Sequence, residues 1–90
     1  MKFSLEPELF KKIKEINKKN PNLSKKIQKQ LKFFSANPKY PSLKTHKLKG
    51  SLSERWSISI EGNIRMIYYL NGGEAVFFDI GTHDEIYRKK

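Results

Sequence analysis

The sequence predicts an α+β fold: a small antiparallel sheet in the chain order β-α-α-β-β-β, with an N-terminal helical hairpin packed on one face. Three observations carry it. Apolar residues recur at helical spacing from Leu9 to Phe34, the period falls to two beyond residue 43, and Gly/Asn turn signals divide the second half into consecutive strands. The chain has 90 residues, the size of a single domain with one core, so residues 1–90 are expected to form one unit.

The elements follow in order. Met1 to Leu5 alternates, with Phe3 and Leu5 on one side, as a short strand does. Pro7 suits the first turn of a helix, where its missing N–H is no loss. Leu9, Phe10, Ile13 and Ile16 then form an apolar stripe with Lys11, Lys12, Lys14 and Lys18 around the rest of the cylinder. Asn20-Pro21 is expected to stop this helix, and Asn22 to cap a second one carrying Leu23, Ile27, Gln30, Leu31 and Phe34 until Asn37-Pro38. So short a connection makes the two helices antiparallel neighbours. Leu43 to Leu48 reads as a strand, followed by a loop at Gly50-Ser51. Trp56, Ile58 and Ile60 alternate with Ser57 and Ser59, and the turns at Glu61-Gly62-Asn63 and Asn71-Gly72-Gly73 lead into IRMIYYL and EAVFFDI, an antiparallel meander. The tail GTHDEIYRKK either begins a last helical turn, with Thr82 as cap and Glu85 three residues on, or runs on as an extension.

Burial chooses the register of the first hairpin. A two-residue Gly62-Asn63 turn would set Arg65 opposite Ile60 on the apolar face, and burying an unpaired guanidinium there costs several kcal/mol. A three-residue loop instead pairs Ile60 with Ile64, Ile58 with Met66, Trp56 with Tyr68 and Ser59 with Arg65. Arg65 is then expected on an open face beside small Ser57 and Ser59, with Phe10, Ile13, Ile27, Leu31 and Phe34 covering the other face.

Composition narrows the function. With no Cys there are no disulfides, thiolate metal sites or cysteine nucleophiles, and the two His are too far apart for a metal-ligand spacing, so neither metal nor cofactor is expected. No apolar run approaches the roughly 20 residues of a membrane span, and MKFSLEPELF lacks the apolar stretch of a signal peptide, so a cytoplasmic protein without membrane contact is expected. The formal charge is +10, and it is unevenly placed: residues 1–50 hold 14 Lys against Glu6, Glu8 and Glu15, whereas residues 51–90 are close to neutral and hold all three Arg. Lysine is a hydrated point charge suited to attracting a polyanion, whereas arginine offers a planar fork for one phosphate or carboxylate. A face serving solubility alone mixes signs, so the balance points to nucleic acid or an acidic protein.

His46, Arg65, His83 and Tyr87 are the residues able to carry chemistry. Taken singly, each has a plain explanation: a surface histidine is usually just that, and Tyr87 can simply pin the C-terminus. Taken together, an Arg flanked by a His on either side suits cleavage of a phosphodiester without metal. That reaction needs a base for the ribose 2'-OH, an acid for the departing 5' oxygen and a cation for the pentavalent phosphate. Histidine suits the first two tasks because its unperturbed pKa, about 6.5, lies near working pH.

These residues sit in motifs that resemble a known family. THKLKG (Thr45 to Gly50), the Arg-x-Ile-Tyr pattern of Arg65 to Tyr68, and GTHDEIY (Gly81 to Tyr87) are similar, over nearly the whole chain, to the RelE/ParE superfamily of type II toxins, most of all its RelE branch near YafQ. The resemblance implies a RelE-like fold and a cytoplasmic endoribonuclease that enters the ribosomal A site and cuts the bound mRNA, leaving a 2',3'-cyclic or 3'-phosphate and a 5'-OH. It also implies a cognate antitoxin that occludes or distorts the site, and contact with operator DNA only through the antitoxin complex. Residue by residue, His46 matches the histidine before the LxG loop, His83 the histidine after the last strand, Arg65 the arginine that contacts the scissile phosphate, and Tyr87 an aromatic or functional tyrosine. Two positions depart: Ser59 and Asn63 stand where YafQ-like toxins have a further histidine and an aspartate, so Arg65 would replace charge obtained otherwise.

On this reading His46 is the base and His83 the acid, or the two exchange roles, Arg65 binds nonbridging oxygens and Tyr87 stacks on or orients a base. Lys47, Lys49 and Arg55 would hold flanking RNA. The helical lysines, among them Lys11, Lys25 and Lys29, would dock on ribosomal RNA. Two alternatives stand beside it. A ParE-type toxin acting on DNA gyrase would tolerate loss of both histidines, and a non-catalytic basic RNA-binding module would bind RNA and leave it intact.

Overall fold

The computed structural model describes residues 1–48 and 54–88, the last two of these as backbone only; Lys49 and the expected Gly50-Ser51 loop lie outside the described residues. The chain forms β1 (Phe3–Leu5), α1 (Pro7–Lys19), α2 (Pro21–Ala36), a 3-10 turn (Pro41–Leu43), β2 (His46–Lys47), β3 (Trp56–Glu61), β4 (Ile64–Asn71), β5 (Glu74–Thr82) and α3 (His83–Arg88). One five-stranded sheet has the order β1-β5-β4-β3-β2. β3 to β5 are the expected antiparallel meander, and β2 extends it antiparallel to β3, one strand more than the expected β-α-α-β-β-β order. β1 corrects the expectation of a wholly antiparallel sheet, since it runs parallel to β5 with Phe3 opposite Ala75 and Leu5 opposite Phe77. Alternation places Phe3 and Leu5 on one side but carries no information on the partner's direction. Parallel pairing needs a long crossover, and the helical hairpin with β2 to β4 supplies it. Among the described residues no helix is long and apolar enough to cross a membrane.

The hairpin connection is tighter than Asn20-Pro21 suggests. Asn20 ends α1, donating its N–H to Ile16 O at 2.7 Å, and also caps α2, its side chain accepting from Leu23 N at 3.1 Å. The proline that looked like a break occupies the first turn of α2, and Asn20, not Asn22, is the cap. Leu9, not Phe10, enters the core: Leu9, Ile13 and Ile16 share the i, i+4, i+7 stripe, whereas Phe10 is 52% exposed with the Lys14 ammonium 5.5 Å above its ring. Phe34 is 0% exposed at the centre and meets Phe3, Tyr68 and Phe77 edge-on at centroid distances of 6.4, 5.1 and 5.2 Å, the arrangement ring quadrupoles favour.

The segment Leu43 to Leu48 is strand only at His46–Lys47. Pro41 starts a 3-10 turn, and Lys44, with φ of 47°, sends the chain in a new direction. Leu43 can thereby join the core under the helices while Leu48 joins a second cluster with Ile67, Ile86 and Phe78.

The β3–β4 hairpin solves the register problem by another route than a three-residue loop. Glu61 pairs with Ile64 across a two-residue turn at Gly62-Asn63, and a bulge between Ser59 and Glu61 leaves Ile60 without a partner. The extra residue restores Ser59 opposite Arg65, Ile58 opposite Met66 and Trp56 opposite Tyr68, while Ile60 stays in the helix-side core. Buried Gln30 reaches across from α2 to donate to Ser59 O at 2.8 Å and Ser42 O at 3.2 Å. It thus satisfies a carbonyl at the point where the ladder is disrupted.

Gln30→Leu keeps the volume and strips Ser59 O of its donor, so unfolding in urea should show a loss of about 1–3 kcal/mol; a change under about 0.5 kcal/mol would mean that the bulge needs no support from α2. Burial pushes the Tyr68 phenol up from 10.0 to about 12. The fold favours the protonated form, so this contribution is complete below pH 10 and is lost as pH rises through about 12. Tyr68→Phe should match the parent near neutrality and decline less steeply over that alkaline range; identical alkaline denaturation curves would refute the assignment.

Candidate active site

Strand alternation sets Ser57, Ser59, Arg65 and Ile67 on the sheet face away from α1 and α2, in the cross-strand pairs Ser57–Ile67 and Ser59–Arg65. The face is less open than expected. α3 lies over part of it, Ile86 packing with Leu48, Ile67 and Phe78, and the two serines are 1% and 9% exposed.

Arg65 is the central cation. Its Nε and Nη1 are shielded from solvent and have no acceptor among the described residues. A desolvated guanidinium with unused donors is unfavourable in the isolated fold, and a phosphate or carboxylate fits its fork. Arg55 shares the predicament, with a buried Nε lacking an acceptor. Its guanidinium lies 5.6 Å from the Tyr69 ring and 5.4 Å from the Phe78 ring, close enough for cation–π attraction. Tyr69 is in turn tied to the start of α1, its hydroxyl donating to Glu6 Oε2 at 2.9 Å. That bond, then burial and the Glu6 charge, hold the Tyr69 phenol above its usual range. The clamp around Arg55 is absent from the sequence reading, although the doublets Tyr68-Tyr69 and Phe77-Phe78 signal it. Adjacent rings on a strand project to opposite faces, so one of each pair must leave the core.

His46 is an exposed residue of β2, directly across from Ser57. Its Nδ1 is 3.1 Å from Lys44 O and its Nε2 3.5 Å from Ser57 Oγ. A carbonyl only accepts, so the first contact requires the proton on Nδ1, and in the neutral ring it leaves a lone pair on Nε2. His83 opens α3 and is exposed. The expected cap is formed: Thr82 Oγ1 accepts from Glu85 N at 3.2 Å and Glu85 Oε1 accepts from Thr82 N at 2.7 Å, a reciprocal capping box. Gly81 gives room for it, since a Cβ there would lie 3.0 Å from Glu85 Oε1.

The sheet relates these groups. Gly81 is the cross-strand partner of Arg65, so His83 follows two residues after Arg65's neighbour. His46 pairs with Ser57, two residues from Ser59 on β3. β2 and β5 stand on either side of the β3–β4 pair, three strand spacings or roughly 14 Å apart. The histidine positions therefore flank Arg65 and do not adjoin each other. The α3 backbone carries Tyr87 one helical turn beyond His83. Lys47 is not brought to this face: it pairs with Trp56 and holds its ammonium 6.0 Å over that ring, on the helix side of the sheet. Lys11, Lys25 and Lys29 are exposed on α1 and α2, the elements that cover the opposite face. Lys12, also exposed, reaches from α1 to β5, donating to Ile80 O at 3.0 Å and Asp79 Oδ1 at 3.4 Å.

A family profile described as "Bacterial toxin of type II toxin-antitoxin system, YafQ" matches residues 1–88. The chain belongs to this YafQ family of toxins. Solved structures agree in fold. YafQ from E. coli strain BL21(DE3) is 20% identical with a TM-score of 0.75, over 94% of this chain and 96% of that one. The YoeB-YefM complex from Staphylococcus aureus includes a chain 24% identical with a TM-score of 0.74, over 92% and 97%. The E. coli DinJ-YafQ complex includes one 23% identical with a TM-score of 0.68, over 94% and 96%. Among curated protein sequences none matches this chain.

Within this YafQ-family toxin the departures occupy different surroundings. Ser59 is buried opposite Arg65, whereas Asn63 is exposed in the turn after the bulge. Removing a cap typically costs about 0.5–2 kcal/mol locally. Glu85→Ala should therefore raise amide exchange in residues 82–85 and leave that of β3 and β4 unchanged; unaltered exchange at Thr82 would show that the box does not hold the segment bearing His83.

Proposed function

We propose that this toxin is an endoribonuclease that cuts mRNA in the ribosomal A site, by metal-independent attack of a ribose 2'-OH, and so inhibits translation. The observation that carries the reading is Arg65: two shielded guanidinium nitrogens without an acceptor among the described residues, set between the strands that bear His46 and lead to His83. A guanidinium held between these strands favours an anionic ligand, most of all one whose charge increases during reaction.

In the proposed reaction His46 Nε2 takes the proton from the 2'-OH, and the oxygen attacks the adjacent phosphorus. Arg65 holds the nonbridging oxygens as the pentavalent charge develops. His83 protonates the departing 5' oxygen, giving a 2',3'-cyclic phosphate and a 5'-OH. Tyr87 orients a neighbouring base, and Arg55, fixed by its aromatic clamp, offers a second cation to the flanking phosphate. Ribosomal RNA would be met by the exposed lysines. A cognate antitoxin is the natural partner, as in the DinJ-YafQ and YoeB-YefM complexes, and would restrain the toxin by satisfying the same arginines with its own acids. Operator DNA would be reached only through that complex.

An acid or base contributes about 100- to 10,000-fold. On ribosomes programmed with a defined mRNA, His83→Ala should lower the cleavage rate at least about 100-fold, and Arg65→Ala should do the same while the protein stays folded. Undiminished cleavage by both variants would end the proposal. Growth arrest that persists in a His46→Ala, His83→Ala double variant, with mRNA intact, would favour a gyrase-type target instead.

A further inference from the structure

Around the β2 edge from His46, a second surface joins aromatic rings to lysines. Lys39, Tyr40, Pro41, Lys44, Thr45 and Trp56 line a pocket of about 370 Å³, within the range of small-ligand sites. Tyr40 is 39% exposed, yet its ring is fixed, stacked on Phe33 at 4.3 Å and 11°. The Lys47 ammonium hangs over Trp56 at the same edge. Beyond the Phe33–Tyr40 stack the surface continues into a groove lined by Lys25, Gln28, Lys29, Lys32 and Phe33. Among the described residues neither hollow is lined by an acid. The groove along α1 makes the contrast, since Glu8, Glu15 and Asp79 line it beside Lys11 and Lys12 and offset its charge.

Fixed aromatic rings interleaved with uncompensated lysines are what a single-stranded polynucleotide requires: rings for bases of any identity, ammonium groups for the phosphates between them. We propose that this strip is a binding site for single-stranded RNA, with one base stacked on Tyr40 in the pocket beside Trp56 and successive phosphates on Lys39, Lys44 and Lys47. The left-handed backbone at Lys44 turns the chain between Tyr40 and β2, so the pocket lies across the sheet edge from the Arg65 face. The strip holds RNA whether or not the other face cuts it.

Trp56 is the chain's single tryptophan, so its fluorescence reports on this pocket directly. The probe is a 2'-O-methyl oligoadenylate of about six nucleotides, which lacks the attacking hydroxyl and cannot be cleaved. Saturable quenching is expected at low salt. Tyr40→Ala should weaken it roughly tenfold or more, and Tyr40→Phe, which keeps the stack, should restore it. The triple change Lys39→Gln, Lys44→Asn, Lys47→Gln, in which Asn suits the left-handed position, should flatten the dependence of log affinity on log salt by about 2. Arg65→Ala should leave the quenching unchanged, which separates this site from the cleavage proposal. Absence of quenching, equal sensitivity to Arg65→Ala, or quenching by polyglutamate at the same or lower concentration would overturn the assignment, the last identifying an acidic protein as the occupant.

Discussion

One extra residue in β3 decides where the charge of this sheet lies. Were Ile60 paired in the ladder, the two-residue turn at Gly62-Asn63 would bring Arg65 opposite it, into a layer made by Leu9, Ile27, Phe34 and Met66. The bulge releases Ile60 from pairing and returns Arg65 to Ser59. A bulge leaves backbone polar groups without ladder partners, and the Gln30 amide meets one of them from α2. The helix that supplies the apolar core also supplies the polar contact that keeps the guanidinium out of it. Fold and site share that constraint, since the same slip would move Ser59 and Arg65 together to the wrong face.

The far face is built less favourably than the core. Phe34 and its neighbours are packed with rings at preferred angles, whereas the other side holds buried serines and two arginines with shielded nitrogens unanswered among the described residues. Such departures from polar satisfaction gather where a ligand completes the arrangement. Rigid parts surround them: the Thr82–Glu85 box fixes the start of α3, and the Glu6–Tyr69 bond fixes one wall of the Arg55 clamp. Preorganised donors need not be turned toward the charge as it forms.

Most of the architecture was legible because it rests on periodicity. Helical spacing located α1 and α2, alternation located β3 to β5, and a Thr-x-x-Glu pattern offered α3 as one of two readings of the tail. What escaped depended on choices that periodicity does not encode. Alternation is blind to strand direction, hence the parallel β1. Asn20-Pro21 reads equally as an end and a beginning and here is both. The cost of burying Arg65 fixed its partner correctly, but a bulge satisfies the same cost with a shorter turn. For the candidate site, residue type and motif singled out His46, Arg65 and His83. The faces were harder: Lys47 and His46 are sequence neighbours on one strand, and that adjacency is what sends them to opposite sides of the sheet.

The division between the lysines of α1 and α2 and the arginine of β4 has a cause in desolvation. A lysine drawn into the sheet beside Ser57 and Ser59 would relieve its burial by giving up its proton, since the ammonium pKa falls when water is removed. Arginine cannot escape that way; its guanidinium stays charged in any protein environment, so a cation that must persist where water is excluded has to be arginine. Where water is plentiful, along α1, α2 and the Tyr40 pocket, the reasoning reverses: a mobile, hydrated lysine adapts to a polyanion whose phosphates sit at no fixed position. The +10 charge thus comprises two physical kinds of cation. One kind suits attraction of a polyanion over a broad surface, and the other suits a cation held where water is scarce.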